Sequence, residues 1–103
     1  MFVDLRNTNI QLYYKMNVLI LCTGNSCRSQ MAQGFLQSFD DKLKVFSAGT
    51  QASGTLNPKA VEVMEEIGID ISHHTSDNVE LYLNDVWDYV ITVCGGANES
   101  CPI

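Results

Sequence analysis

One short segment constrains this chain more than any other: a cysteine, five loop residues and an arginine stand between a strand pattern and a helix pattern. The run Asn17–Cys22 is continuously β-branched or aliphatic, which is typical of a strand buried on both faces of a parallel sheet. From Ser29 to about Phe39, apolar residues recur at helical spacing. Cys22 is therefore expected at the carboxyl end of a central strand, where open α/β sheets bind their ligands.

The rest of the chain repeats the alternation of strands and helices. A second strand is predicted over Lys44–Ser47 and a third, also buried, over Asp88–Cys94. Between them, Asn57 is a good N-cap for a helix that ends at Gly68, and a short helix is expected over Asn78–Leu83. This order predicts an α/β fold, a three-layer sandwich around a central parallel sheet.

Composition bounds the number of domains and the class of partner. The chain has 103 residues, 46% of them hydrophobic, which suits one small domain over residues 16–103 after an N-terminal extension over residues 1–15. A net charge of -6 disfavours binding to nucleic acid or to an anionic membrane surface. Because the apolar runs are far shorter than the ~20 residues of a membrane span and no secretory signal is recognisable, we predict a cytoplasmic protein.

The loop between the first strand and its helix suits a tetrahedral oxyanion. Its amides can turn inward as an anion nest, the helix N-terminus adds partial positive charge, and the Arg28 guanidinium can hold two oxygens. The same positive field stabilises the thiolate form of Cys22, to which Ser29 can donate a hydrogen bond while Asn25 braces the loop. The predicted substrate-binding residues are Thr23, Gly24, Asn25, Ser26, Cys27, Arg28 and Ser29.

The same residues also allow a simpler, non-catalytic interpretation. A C-x5-R spacing occurs by chance in many chains, and Cys22 could simply end an apolar strand while Arg28 caps a surface helix. The preceding strand, the loop glycine and the following helix favour the oxyanion site. Since the cytoplasm keeps thiols reduced, the four cysteines indicate chemistry rather than structural disulfides, and the lack of C-x2-C pairs disfavours zinc. His73 and His74 are interpreted as loop residues.

From Asn17 onward, the chain resembles the low-molecular-weight tyrosine phosphatase superfamily and, within it, the thioredoxin-coupled arsenate reductases. The strongest piece is VLILCTGNSCRSQMA, and the resemblance continues through FSAGT, NPKAVEVMEEIGIDISHHTSD and DYVITVCGGANESCP. The last piece contains Cys94 and Cys101, a pair that phosphatases of this fold do not need. The resemblance therefore implies a low-molecular-weight tyrosine phosphatase-like fold and favours a reductase.

The resemblance also implies a thiol relay that reduces arsenate to arsenite and so detoxifies arsenic. Cys22 would attack arsenate while Arg28 and the loop amides hold it, and Cys94 would then attack the arseno-thiol and release arsenite. Cys101 would open the resulting disulfide and leave a Cys94–Cys101 pair for thioredoxin to reduce. In the competing interpretation, Cys94 is a buried strand residue and Cys101 an incidental tail thiol.

The chain departs from this family at two places. Relatives continue past the position of Ile103 through a strand, an Asp-Pro loop and a closing helix, so the general-acid aspartate has no counterpart and we expect impaired turnover. The same difference predicts an open sheet edge that favours dimerisation. Gln33 stands where relatives carry a glutamate beside a structural potassium ion. The other matching ligands would be Asn25, Ser47 and Asp77, and no tightly bound cofactor is expected.

Three functions follow as alternatives. The first is an arsenate reductase. The second is a phosphatase for phosphotyrosine or small phosphate esters, which would need Cys22 and Arg28 but neither later cysteine. The third is a non-catalytic oxyanion-binding or redox-sensing domain. Dependence on Cys94 separates the first two, and binding without product would identify the third.

Overall fold

The computed structural model describes residues 15–93, which form a three-stranded parallel sheet with helices. The strands are β1 (Met16–Cys22), β2 (Leu43–Gly49) and β3 (Tyr89–Thr92), and the helices are α1 (Arg28–Phe39), α2 (Pro58–Glu66) and a 3-10 helix over Val79–Tyr82. The sheet order is β2-β1-β3. The predicted α/β class and the central position of the first strand are therefore confirmed.

The helix α1 covers one face of the sheet. Val18, Ile20 and Val45 are buried on that face, where Ala32 and Leu36 of α1 pack against them. The other face carries Phe46, whose ring centroid lies 5.8 Å from that of Tyr82 and 5.4 Å from that of Trp87. The central strand is thus buried from both sides, as its apolar sequence predicts.

The helix α2 begins and ends at the residues that the sequence indicates. The Asn57 side-chain oxygen accepts a hydrogen bond from the amide of Lys59 at 2.8 Å, and Pro58 is the first helical residue. Gly68 follows the helix with a φ of +84°, a conformation that a side chain would disfavour. Met64 on the inner face of α2 is fully buried beside Ile71. Met31 of α1 packs against the same cluster, so α2 lies against α1.

The strand β3 differs from the sequence prediction in its burial. A strand is present over Tyr89–Thr92, but the expectation that it is buried is wrong: Tyr89, Val90 and Ile91 are 58%, 53% and 42% exposed. The physical reason is position, because β3 is the outer strand and pairs only with β1 among the strands described. In the described range, no helix is both long enough and apolar enough to cross a membrane.

The apolar stripe of α1 also lies partly in solvent. Phe35 and Phe39 are 41% and 75% exposed, whereas the buried residues of this helix are Ser29, Gln30 and Gly34. The stripe lines an apolar groove of about 330 Å³ that continues onto β3. The helix therefore turns its polar first turn inward, toward the loop that precedes it.

Candidate active site

The strands β1 and β2 bring two loops to the same end of the sheet. Cys22, the last residue of β1, pairs in register with Gly49, the last residue of β2. The loop over residues 23–27 therefore lies beside the segment over residues 50–57. A Cβ atom at Gly49 would lie 2.4 Å from the carbonyl oxygen of Thr23, so only glycine allows this approach.

The loop carbonyls point outward, toward the segment that follows β2. Because the N–H and C=O groups of a planar trans peptide point in opposite directions, the amides that follow these carbonyls turn toward the centre of the loop. The amide of Asn25 shows this directly, since it donates to Cys22 Sγ at 3.2 Å. The outward carbonyls of Cys22, Thr23, Gly24 and Ser26 accept from the amides of Thr50, Gln51, Ser53 and Asn57 at 3.0, 2.9, 2.9 and 2.8 Å.

Cys22 lies at the base of this loop and is only 6% exposed. Its thiol hydrogen-bonds to the Ser29 hydroxyl, with sulfur and oxygen 3.1 Å apart. Once the sulfur is ionised, the Ser29 hydroxyl can turn its proton toward it, as the Asn25 amide already does. Two donors are thus in place for a thiolate at Cys22.

Arg28 is the first residue of α1 and is half-buried. The N-cap residue, Cys27, makes no side-chain capping bond, and the first turn contains no acidic side chain. The first turn itself therefore carries no carboxylate to offset the positive end of the helix dipole, which faces the loop. A helix start of this kind, together with a guanidinium and inward amides, favours a bound anion with several oxygens.

Asn25 holds the loop from within, as predicted. It is fully buried and has a φ of 50°, in the left-handed region that costs a non-glycine residue about 1–3 kcal/mol. Its side-chain oxygen accepts from the Asp77 amide at 2.9 Å, and its Nδ2 donates to Ser29 Oγ at 2.8 Å and to Ser47 Oγ at 2.9 Å. These bonds stabilise a backbone conformation that Asn25 would otherwise leave.

Gln30 is a buried site residue that the sequence analysis missed. Its Nε2 donates to the carbonyls of Asn25 at 3.0 Å and Thr75 at 2.9 Å, and its Oε1 lies 3.0 Å from Nδ1 of His74. Since Oε1 can only accept, Nδ1 of His74 must carry the proton. Burial, followed by the neighbouring His73, lowers the pKa of His74 and favours the neutral ring. The only sequence signal was a glutamine in the first turn of α1.

The four residues predicted for a potassium site lie close together but bind one another. The Ser47 hydroxyl donates to Gln33 Oε1 at 2.6 Å, and Ser47 Oγ accepts from Asn25. The Asp77 carboxylate accepts from the hydroxyls of Thr75 at 2.7 Å and Tyr82 at 3.1 Å. Burial and the charge of Asp77 raise the pKa of Tyr82 to about 12, so that this hydroxyl remains a donor.

A hard cation needs several oxygens directed at one point. In this arrangement Asn25 and Ser47 direct protons at their neighbours, so the four residues do not fit a potassium ion. Among residues 15–93, no group of three His, Cys, Asp or Glu side chains could hold a metal ion either.

Cys94 and Cys101, the predicted second and third thiols, lie outside the described residues. Val93, the last described residue, donates its amide to the carbonyl of Leu21 at 3.0 Å. Leu21 precedes the predicted nucleophile directly. The structure therefore brings together the loop residues, Arg28, Ser29 and Ser47, and it follows the chain to the residue before Cys94.

The family model that matches this chain is described as low molecular weight phosphotyrosine protein phosphatase, and it matches residues 17–103. An arsenate reductase of Shouchella clausii (strain KSM-K16) is 51% identical over 90 residues, which cover 86% of this chain and 64% of the relative. An arsenate reductase of Bacillus subtilis (strain 168) is 51% identical over 87 residues, which cover 84% of this chain and 62% of the relative. The chain thus spans less than two thirds of the length of these relatives.

Solved structures share the same architecture. An arsenate reductase in the phosphate binding state matches with a TM-score of 0.72 and 46% identity, over 81% of this chain and 64% of that one. A low molecular weight protein tyrosine phosphatase from T. tengcongensis matches with a TM-score of 0.67 and 37% identity, over 76% of this chain and 58% of that one. Both a reductase and a phosphatase therefore resemble this fold.

Proposed function

We infer that this chain, since it belongs to the low molecular weight phosphotyrosine protein phosphatase family, attacks a tetrahedral oxyanion with Cys22, and we propose that the oxyanion is arsenate. The observation that carries the proposal is the environment of the buried Cys22 sulfur, which lies beneath a loop of inward amides. The sulfur accepts a hydrogen bond from the Asn25 amide and contacts the Ser29 hydroxyl. Arsenate reductases that share about half of the aligned residues support arsenate as the substrate.

The loop supplies what the first step requires. Arsenate is a tetrahedral dianion, so inward amides, the α1 dipole and the Arg28 guanidinium can hold its oxygens while one face of the arsenic meets the sulfur. The Cys22 thiolate donates its electron pair to As(V), an S–As bond forms, and one oxygen leaves as water after it takes up protons. Holding both reactants in this geometry contributes much of the rate.

Reduction then needs a second thiol, and we propose Cys94. Its thiolate attacks Cys22 Sγ, an S–S bond forms, the S–As bond breaks, and its electron pair stays on arsenic as arsenite. Two thiols are thereby oxidised by two electrons and As(V) is reduced to As(III). The Val93 amide bonded to the Leu21 carbonyl supports this assignment, since Cys94 is the next residue along the chain.

Regeneration requires an external dithiol. We propose that Cys101 attacks the Cys22–Cys94 disulfide, which frees the Cys22 thiolate and leaves a Cys94–Cys101 disulfide. A thioredoxin-type dithiol then reduces that disulfide by thiol exchange. Without such a reductant, each chain would reduce one arsenate and stop.

A steady-state assay tests the proposal against the phosphatase alternative, which the phosphatase structure of the same fold favours. Reduced protein is given arsenate with thioredoxin, thioredoxin reductase and NADPH, and in parallel it is given p-nitrophenyl phosphate. Cys22→Ser should abolish both activities, while Cys94→Ser should abolish arsenate reduction and spare ester hydrolysis. Ester hydrolysis without arsenate reduction in the unmodified chain would make it a phosphatase.

We also propose that β3 is an association edge for a second copy of the chain. Its Tyr89, Val90 and Ile91 side chains are exposed, and the strand adjoins the apolar groove formed with Phe35 and Phe39. Antiparallel pairing of two β3 strands would satisfy the backbone groups of both edges and extend the two sheets into one. This assembly leaves the oxyanion loop of each copy at the carboxyl end of its own sheet.

A further inference from the structure

We propose that Gln33 is a positioning residue that locks the oxyanion loop through neutral hydrogen bonds, so that oxyanion binding by this chain needs no monovalent cation. The inference rests on the proposed function only in that the loop binds an oxyanion. Gln33 and Ser47 make no contact with Cys22 Sγ among the hydrogen bonds described, and they act on it through Asn25.

The direction of each hydrogen bond in this network is fixed by the backbone. A backbone amide can only donate, so Asn25 turns Oδ1 toward the Asp77 amide and must donate from Nδ2 to Ser47. A carbonyl can only accept, so Gln33 must present Nε2 to the Val45 carbonyl at 3.1 Å and Oε1 to Ser47. The Ser47 hydroxyl accepts from Asn25 and donates to Gln33, so both partners are satisfied.

The network reaches the nucleophile through Asn25. The same Nδ2 that donates to Ser47 also donates to Ser29 Oγ, which is the hydroxyl that contacts Cys22 Sγ. Without the Ser47 contact, Asn25 would be free to leave its left-handed conformation. Its backbone amide would then no longer donate to Cys22 Sγ. Gln33 therefore acts on the oxyanion loop through Ser47 and Asn25.

The Gln33 amide links Ser47 to the Val45 carbonyl, a link for which a carboxylate at this position would need a cation. A glutamate at position 33 would place a charged oxygen against the Val45 carbonyl, where Gln33 now places a donor at 3.1 Å. Two oxygens at that distance repel unless a proton or a cation lies between them. A glutamate would therefore recruit a cation to this point, whereas glutamine closes the network by itself.

Gln37 provides a matched control on the same helix. It lies one turn after Gln33, and it also contacts β2: its Nε2 donates to the Leu43 carbonyl at 2.6 Å and its Oε1 accepts from the Val45 amide at 3.1 Å. It makes no contact with Ser47 among the hydrogen bonds described. A Gln37→Glu variant adds the same charge to the same edge but leaves the lock on Asn25 intact.

The test measures inorganic phosphate binding by calorimetry and thermal unfolding in potassium chloride and in tetramethylammonium chloride at equal ionic strength. The unmodified chain should bind phosphate with the same Kd in both salts, within about twofold, because ionic screening is equal. Gln33→Glu should bind about tenfold more weakly in tetramethylammonium, with a lower Tm, and should recover in potassium because the cation restores the bridge. Gln37→Glu should also lower the Tm, because it sets an oxygen against the Leu43 carbonyl, but it should bind phosphate with the Kd of the unmodified chain in both salts.

Each other outcome has a distinct meaning. If the unmodified chain requires potassium to bind phosphate, the inference is overturned without any variant. The inference can therefore be contradicted even if Gln33→Glu does not fold. An equal dependence of phosphate affinity on potassium in Gln33→Glu and Gln37→Glu would also overturn it. An unmodified chain that binds phosphate in neither salt would instead contradict the oxyanion loop and, with it, the proposed function.

Discussion

The two edges of the sheet are built in opposite ways. At the β2 edge, the side chains of Gln33 and Gln37 of α1 hydrogen-bond to the backbone groups of Leu43 and Val45. At the β3 edge, Val90 and its neighbours are exposed. A strand edge exposes backbone donors and acceptors that invite another strand. The β2 edge is closed by side chains of α1, and we call the β3 edge open because its side chains are exposed among residues 15–93.

The same contrast separates the two halves of the molecule. Around the oxyanion loop, polar residues such as Asn25 and Gln30 are fully buried and hydrogen-bonded. Around β3, apolar residues such as Phe39 and Val90 lie in solvent. The loop half is therefore organised within this chain, whereas the β3 half presents apolar side chains that burial against a partner would stabilise.

The largest effect is expected at Asn25. Asn25→Ala removes a buried side chain that accepts from Asp77 and donates to two serines, so the free energy of unfolding should fall by about 2–4 kcal/mol. Phosphate affinity should fall at least about tenfold, because the left-handed loop loses its brace. Urea unfolding and calorimetry measure the two effects. Asn78→Ala, which removes one exposed hydrogen bond to the Ala52 amide, is the control and should change neither by much.

The next prediction concerns the open edge. Ile91→Lys places a charge on β3 at the apolar groove, so the dissociation constant of the proposed dimer should rise by about tenfold or more because a buried charge must be desolvated. Sedimentation velocity over a concentration series measures this. Leu81→Lys adds the same charge at a 68% exposed position on the 3-10 helix and should leave association unchanged. Equal effects of both variants would place the association surface elsewhere.

A smaller effect should follow from uncovering the closed edge. Gln37→Met keeps the length of the side chain but removes its hydrogen bonds to the Leu43 carbonyl and the Val45 amide. The cost should be about 1–2 kcal/mol of unfolding free energy, since water can reach these half-buried groups. Phosphate affinity should stay within about twofold, because Ser47 and Asn25 keep their partners. A large loss of phosphate affinity would show that the side-chain contacts at the β2 edge also stabilise the oxyanion loop.

The smallest effect is a pH dependence from His74. Burial is the main cause that lowers its pKa below 6.5 in the folded chain. The unfolded chain therefore takes up this proton at higher pH, so the stability contribution is present above about pH 6.5 and is lost as the pH falls toward the folded pKa. Urea unfolding should give a lower free energy of unfolding at about pH 5.5 than at about pH 8, and His74→Gln should reduce this difference. His73→Gln should retain most of the difference, since it removes the charge of His73 but leaves His74 buried.

Contiguous features could be predicted from the sequence. The residues from Cys22 to Ser29 follow one another between a strand and a helix, so the local pattern suffices to place the predicted nucleophile and its loop. Gln30 could not be predicted as a site residue, because its partners at Thr75 and His74 are more than forty positions away. The Ser47 contact depends on the register of β1 against β2, which no local pattern encodes.

The exposed apolar stripe of α1 shows a second limit. Helical spacing identifies Phe35 and Phe39 as one face, and that face exists. Spacing cannot say what covers it, since that depends on which elements the fold provides nearby. The same reasoning explains β3, whose apolar sequence predicts a strand but not its place at the edge.

A single-turnover experiment tests the central claim, that Cys22 begins a thiol-dependent reduction of arsenate. Reduced protein is mixed with arsenate, the free thiols are blocked, and disulfides are mapped by mass spectrometry while arsenite is quantified. We expect about one arsenite per chain and a Cys94–Cys101 disulfide, with neither formed by Cys22→Ser, because two thiols supply the two electrons. Unchanged arsenate with all four thiols free in the unmodified chain would contradict the account.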